Sequence, residues 1–71
     1  MRFRVREPLL AVQSESGVSP RFMTIEPGSV ITIKGKEEQS GFVDVSYRGQ
    51  IVQVYMRDLE KRADRVRGQT G

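Results

Sequence analysis

The alternation of apolar and polar positions is clearest over residues 41–59, where it predicts a β-hairpin followed by one short helical turn. Apolar residues alternate with polar ones on both sides of Arg48-Gly49, a two-residue connection typical of a tight hairpin. Pairing is counted outward from this turn, which places four valines on one face. They form two facing pairs, Val43 with Val54 and Val45 with Val52. This valine face is the predicted core.

The opposite face of the predicted hairpin is the candidate functional surface. It carries Phe42, Asp44, Ser46, Ile51, Gln53 and Tyr55. Phe42 and Tyr55 are expected to be cross-strand neighbours. Aromatic rings beside an amide suit hydrogen-bonded recognition at an interface, and the alternative is that the rings pack against the first loop or the N-terminal strand. The predicted binding surface consists of Phe42, Ile51, Gln53 and Tyr55.

Shorter strand candidates precede the hairpin, at residues 2–6, 9–12, 22–25 and 30–33. After the hairpin, we predict a single 3₁₀ turn at residues 56–59. We predict a charged helical extension at residues 60–67, because apolar residues recur there at helical spacing. About five short strands without a long helix predict one small all-β barrel or sandwich over residues 1–67. Residues 68–71 are expected to be a frayed tail.

Length and composition indicate a small soluble domain. A chain of 71 residues has room for one core, which buries about 60% of the unfolded surface. Hydrophobic residues make up 37% and charged residues 30%, as in ordinary globular domains. No apolar run approaches the roughly 20 residues that cross a bilayer, and the first residues lack the apolar region of a signal peptide. We therefore expect a cytoplasmic location and no membrane partner.

The residue types that are absent exclude much enzyme chemistry. The chain contains neither cysteine nor histidine, which excludes disulfides, thiolate nucleophiles, zinc-thiolate sites and the commonest metal ligand and general base. No glycine-rich phosphate loop and no metal-ligand spacing is present in the sequence. We therefore expect a non-catalytic protein without a cofactor or metal.

Basic charge suggests a second hypothesis, in which the partner is a nucleic acid. Twelve Lys and Arg against nine Asp and Glu give a net charge of +3. The candidate contacts with an anionic partner are Arg2, Arg4, Arg6, Arg48 and Arg57. Acidic residues interleave with these arginines, and this pattern also predicts solvated ion pairs at helical spacing.

The order of parts resembles the Src-homology-3 barrel, in particular its bacterial version, over most of the chain. Residues 10–14 match the family's first strand, 22–28 the approach to its diverging turn, 42–55 its distal hairpin and 56–59 its closing 3₁₀ turn. The resemblance implies a small five-stranded barrel, followed here by a short charged tail. It also implies a binding module and no reaction.

The aromatic residues with which this family binds proline-rich peptides are mostly missing. Its two tyrosine positions near the first strand look like Gln13 and Glu15, its tryptophan resembles Phe42, and its last pair resembles Tyr55 and Asp58. A polyproline ligand needs stacked aromatic rings to cover its flat apolar prolines. We therefore expect another protein or peptide partner, or a homo-oligomer.

A third hypothesis comes from Val52-Gln53-Val54-Tyr55, which resembles the signature of the plasmid-borne type B dihydrofolate reductase. That family is a short barrel working as a tetramer around a central pore, and the resemblance places cofactor and substrate binding on Gln53 and Tyr55. The segment after the signature is one residue shorter than in the family, and the resemblance does not place the family's pore lysine on any residue of this chain. A chance tetrapeptide in a strand is the alternative.

Overall fold

The computed structural model describes residues 1–13 and 19–67, which form seven strands and one short helix. The strands are β1 (Arg2–Val5), β2 (Leu9–Gln13), β3 (Arg21–Ile25), β4 (Val30–Ile33), β5 (Phe42–Tyr47), β6 (Gln50–Tyr55) and β7 (Ala63–Val66). The helix α1 spans Met56–Arg62. The prediction of an all-β fold is confirmed.

All seven strands belong to one antiparallel sheet in the order β3-β2-β6-β5-β4-β1-β7. The sheet is not closed, so β3 and β7 are its edges. The predicted count of five strands is too low. The six strand segments indicated by the sequence are all present, and the segment after the helix adds a seventh, β7.

The central hairpin has the predicted turn and register. Val43 faces Val54, and Val45 faces Val52. Arg48 and Gly49 have φ values of 52° and 79°, which place both residues in the left-handed region. A type I′ turn requires positive φ at both central positions, and its twist matches that of the flanking strands. The local sequence therefore fixes this register.

Alternate residues of each strand supply a single apolar core. Its members are Phe3, Val5, Leu9, Ala11, Ile25, Ile31, Val43, Val45, Tyr47, Val52, Val54, Leu59 and Ala63. The helix contributes only Leu59 to this buried set, so the sheet must curl around its own apolar face to exclude water. No polar or charged residue is buried within the described ranges. The face of the sheet opposite this core is the one on which a partner could bind.

The C-terminal segment differs from its prediction. Residues 56–62 form an α-helix instead of a single 3₁₀ turn, and residues 63–66 form a strand instead of continuing as a helix. The carbonyl of Arg62 accepts hydrogen bonds from the backbone N–H groups of Arg6 at 2.7 Å and Glu7 at 3.1 Å. The chain then pairs with β1, where Ala63 faces Val5. This long-range pairing overrides a weak helical periodicity.

Some predictions fall outside the described residues, namely the tail at 68–71 and the family position at Glu15. Within residues 1–13 and 19–67, no helix has the length and apolarity needed to cross a membrane.

Candidate interaction surface

The four residues of the predicted binding surface lie together on the outer side of the β5–β6 hairpin. We call Phe42, Ile51, Gln53 and Tyr55 the hairpin strip. Phe42 and Gln53 are half-buried, whereas Ile51 is 52% exposed and Tyr55 is 36% exposed. The alternation of side chains along β5 and β6 sends the valines into the core and the strip outward. The strip is therefore accessible to a partner.

Two contacts hold the ring of Tyr55. Phe42 faces Tyr55 in the strand register, and their ring centroids are 5.5 Å apart with an interplanar angle of 62°. This edge-to-face arrangement is favourable for aromatic pairs. Gly41 has φ of 93°, and a Cβ atom at this position would overlap Cε1 of Tyr55. The Tyr55 ring thus lies against the bare backbone of Gly41.

The polar centre of the strip is the amide of Gln53. Its Nε2 donates to Oδ1 of Asp44 at 3.1 Å and to Oε2 of Glu38 at 3.4 Å. Asp44 faces Gln53 across the hairpin, whereas Glu38 comes from the loop before β5. Two carboxylates therefore share one amide next to the exposed aromatic ring. This arrangement offers acceptor oxygens to a cationic or N–H donor.

A backbone turn places Glu38 at the strip. The N–H of Glu38 donates to the carbonyl of Phe42 at 2.8 Å, and the N–H of Gly41 donates to the carbonyl of Glu38 at 2.8 Å. The carbonyl of Gly41 in turn accepts from the N–H of Met56 at 2.8 Å. Glu38 is missing from the predicted surface because the charged loop sequence gives no periodicity from which its position could be found.

The exposed apolar surface continues from the strip onto β2 and β3. Val12 of β2 faces Gln53 on one side and Phe22 of β3 on the other. Phe22 is 70% exposed, and Leu10 is 55% exposed. Residues 9–12 are all apolar, so the sequence does not show which of them point outward. Leu10 could therefore not be predicted as an exposed residue.

The arginines predicted as anionic contacts belong to different elements of the fold. Arg2 and Arg4 lie on β1, Arg48 lies in the turn between β5 and β6, and Arg57 lies on α1. The guanidinium of Arg48 is 5.3 Å from the ring centroid of Tyr47. Arg57 is exposed on α1. Their use as one surface for an anionic partner stays a prediction.

Two ion pairs join the segment after β1 to the C-terminal part of the chain, and neither has the helical spacing that was predicted. Nε of Arg6 lies 3.0 Å from Oδ1 of Asp64. Nη2 of Arg6 donates to the carbonyl of Lys61 at 2.7 Å. Nη1 of Arg62 lies 3.1 Å from Oε1 of Glu7. Both ion pairs are solvent-exposed.

Three arginines line a groove of about 760 Å³ between the start of β1 and the end of β7. It is lined by Met1, Arg2, Arg65, Val66 and Arg67. No carboxylate is among these lining residues. Of the predicted anionic contacts, only Arg2 belongs to this groove.

The described part of the chain contains no group of three or more acidic residues arranged to hold a metal ion. Comparisons of the chain with protein-family models, curated proteins and solved structures find no match. The chain's own geometry is therefore the basis for assigning it a function.

Proposed function

We propose that this protein is a non-catalytic module that binds a protein or peptide partner, or a second copy of itself, through the hairpin strip. The observation that carries this proposal is the exposed Tyr55 ring, held between Phe42 and Gly41. Aromatic side chains are enriched at interfaces because they supply a large contact area at a low entropy cost. A ring already held in one orientation loses little further freedom on binding.

The chemistry of the strip also favours one kind of partner. Ile51 and Tyr55 offer apolar contact, and the carboxylates of Asp44 and Glu38 lie beside them on Gln53. The matching ligand places an apolar side chain against the ring and a Lys or Arg near the carboxylates. Charge-assisted hydrogen bonds of this kind are stronger than neutral ones, and at an exposed rim they contribute mainly to specificity and association rate.

We also propose that the fold is a variant of the Src-homology-3-like barrel. The support is the run of β4, β5 and β6 as consecutive antiparallel neighbours, followed by a short helical segment and a last strand that pairs with β1. The variant differs in its seven strands and in the α-helix that stands where the family has a 3₁₀ turn. Gln13 and Asp58 stand where the family has the aromatic residues that bind proline-rich peptides. This difference supports a ligand other than a proline-rich peptide.

A random peptide library displayed on phage tests the proposed partner chemistry. We expect the wild-type protein to select peptides that combine apolar and basic residues. Ile51→Lys should lose these peptides, because it puts a charge into the apolar half of the strip and repels the basic residue. Val30→Lys is the matched control, since Val30 is 41% exposed on β4, two strands from β6.

Three results would contradict the proposal. The first is equal binding of the selected peptides by Ile51→Lys and wild type, which would place their site elsewhere. The second is a library that yields no binder, combined with a monomeric mass in light scattering at high concentration. The third is loss of binding in both lysine variants, which would indicate a general charge effect.

The basic groove favours a second candidate function, which is contact with the phosphate backbone of a nucleic acid. Its support is the convergence of Arg2, Arg65 and Arg67 on one groove without a lining carboxylate. The test is to measure the affinity for single-stranded and duplex DNA by fluorescence anisotropy at two salt concentrations. We expect an affinity that falls with salt and that drops in Arg65→Gln but not in Arg57→Gln. Equal affinities of the two variants would contradict this candidate.

A further inference from the structure

The strand β3 is an edge of the sheet with an unused hydrogen-bonding side. It pairs with β2, and no backbone hydrogen bond joins residues 21–25 to any other described part of the chain. An edge strand presents a row of unpaired N–H and C=O groups. A second extended strand can pair its own backbone groups with all of these N–H and C=O groups.

The two edges of the sheet differ in how they discourage such pairing. The edge strand β7 carries Asp64 and Arg65, and Asp64 is tied to Arg6 by an ion pair. Charged residues on an edge oppose the approach of a second strand. The edge strand β3 has a single charge, at Arg21, no proline, and the strongly exposed Phe22. Its edge is therefore the less protected one.

We propose that β3 pairs with β3 of a second copy of this chain in an antiparallel dimer. The two-fold axis passes Met23, so that all five residues of the strand are paired. Phe22 then faces Thr24 of the second copy, and Arg21 faces Ile25 of the second copy. In this register, core-facing residues lie opposite core-facing residues, and both sheets keep their apolar faces on the same side.

Charge complementarity favours a second copy over an unrelated strand. Glu26 directly follows Ile25 and lies just beyond the end of β3, so in this register the long side chain of Arg21 of each copy can reach Glu26 of the other. Both residues are exposed, and neither has an ion-pair partner among residues 1–13 and 19–67. The two Arg21 side chains lie at opposite ends of the paired strands and do not repel each other. The dimer therefore gains two equivalent ion pairs.

Apolar contact adds to the strand pairing. Phe22 of one copy lies over Thr24 of the other, whose neighbour on β2 is the exposed Leu10. A pairing of five residues is small compared with standard protein interfaces, so the dimer is expected to be weak and to depend on concentration. This inference does not rest on the proposed function, because Ile51 lies on β6, two strands away from the edge.

Sedimentation equilibrium from micromolar to millimolar protein tests the dimer. We expect wild type to change from monomer to dimer over this range and Phe22→Lys to remain monomeric. Arg21→Glu and Glu26→Arg should each weaken the dimer by about three- to tenfold, as for exposed ion pairs. The double variant R21E/E26R should restore the wild-type dissociation constant, because it exchanges the two charges.

The control variant is Ile51→Lys, which should keep the dimer. A wild-type protein that remains monomeric at millimolar concentration would overturn the inference. So would a double charge exchange that fails to restore the dimer. A dimer lost in Ile51→Lys but kept in Phe22→Lys would also overturn it, while leaving the hairpin strip as the self-association surface.

Discussion

Replacing Gly41 with alanine tests how the Tyr55 ring is held. The backbone of Gly41 has φ of 93°, a region that residues with a Cβ atom rarely adopt. The new methyl group would overlap Cε1 of Tyr55. The variant must therefore strain the backbone and also move the ring away from Phe42.

Two terms set the expected loss of stability. An unfavourable backbone conformation of this kind costs about 1–3 kcal/mol. Loss of the edge-to-face contact between Phe42 and Tyr55 adds about 0.5–1.5 kcal/mol. The free energy of unfolding should thus fall by about 1.5–4.5 kcal/mol, a large part of the total for a small domain.

Urea unfolding followed by circular dichroism measures this loss. Gly35→Ala is the matched control, because a Cβ atom at Gly35 meets nothing within 4 Å and its φ is not positive. This control should change stability by less than about 1 kcal/mol. Repeating Gly41→Ala in a Tyr55→Ala background separates the two terms.

The double-mutant comparison can refute the reasoning. With the ring removed, Gly41→Ala should cost only the backbone term, which is less than in wild type. An equal cost in both backgrounds would mean that Gly41 does not hold the ring. A stability like that of Gly35→Ala would mean that the turn adopts another conformation in solution.

Three further predictions concern the core, the charged surface and the chemistry. Leu59→Ala should lower the free energy of unfolding by about 2–5 kcal/mol, because Leu59 is fully buried in the only helix of the described chain; a loss below about 1 kcal/mol in urea unfolding would contradict this packing. Asp64→Asn should cost at most about 1 kcal/mol, because its ion pair with Arg6 is solvent-exposed, and the effect should shrink when salt is added to the same assay. Titration with NADPH should leave its absorbance and fluorescence unchanged, whereas saturable binding would support the dihydrofolate reductase hypothesis.

The hairpin could be predicted from the sequence because its signals are local. The period-two alternation and the turn at Arg48-Gly49 lie within one stretch, and they determine the register without any distant contact. The placement of Phe42 opposite Tyr55 followed from the same count. The strand β7 could not be found in this way, because its partner β1 lies about 60 residues earlier and its own sequence is charged.

The candidate surface was predictable only where it belongs to the hairpin. Glu38 reaches Gln53 from a loop, and a loop of charged residues has no period that fixes a side-chain direction. Phe22 and Leu10 are exposed because β2 and β3 lie at one side of the sheet, which depends on the order of strands. Strand order arises from tertiary packing, so a pattern of neighbouring residues does not contain it.

Mapping the binding site by NMR tests the central claim most directly. The wild-type protein, labelled with ¹⁵N, is titrated with a peptide selected from the library, and the shifts of its backbone amides are followed. We predict that the largest shifts fall on residues 38–44 and 51–55, around the hairpin strip. Largest shifts at residues 2–4 and 64–67 would assign binding to the basic groove and contradict the claim that the hairpin strip is the interaction surface.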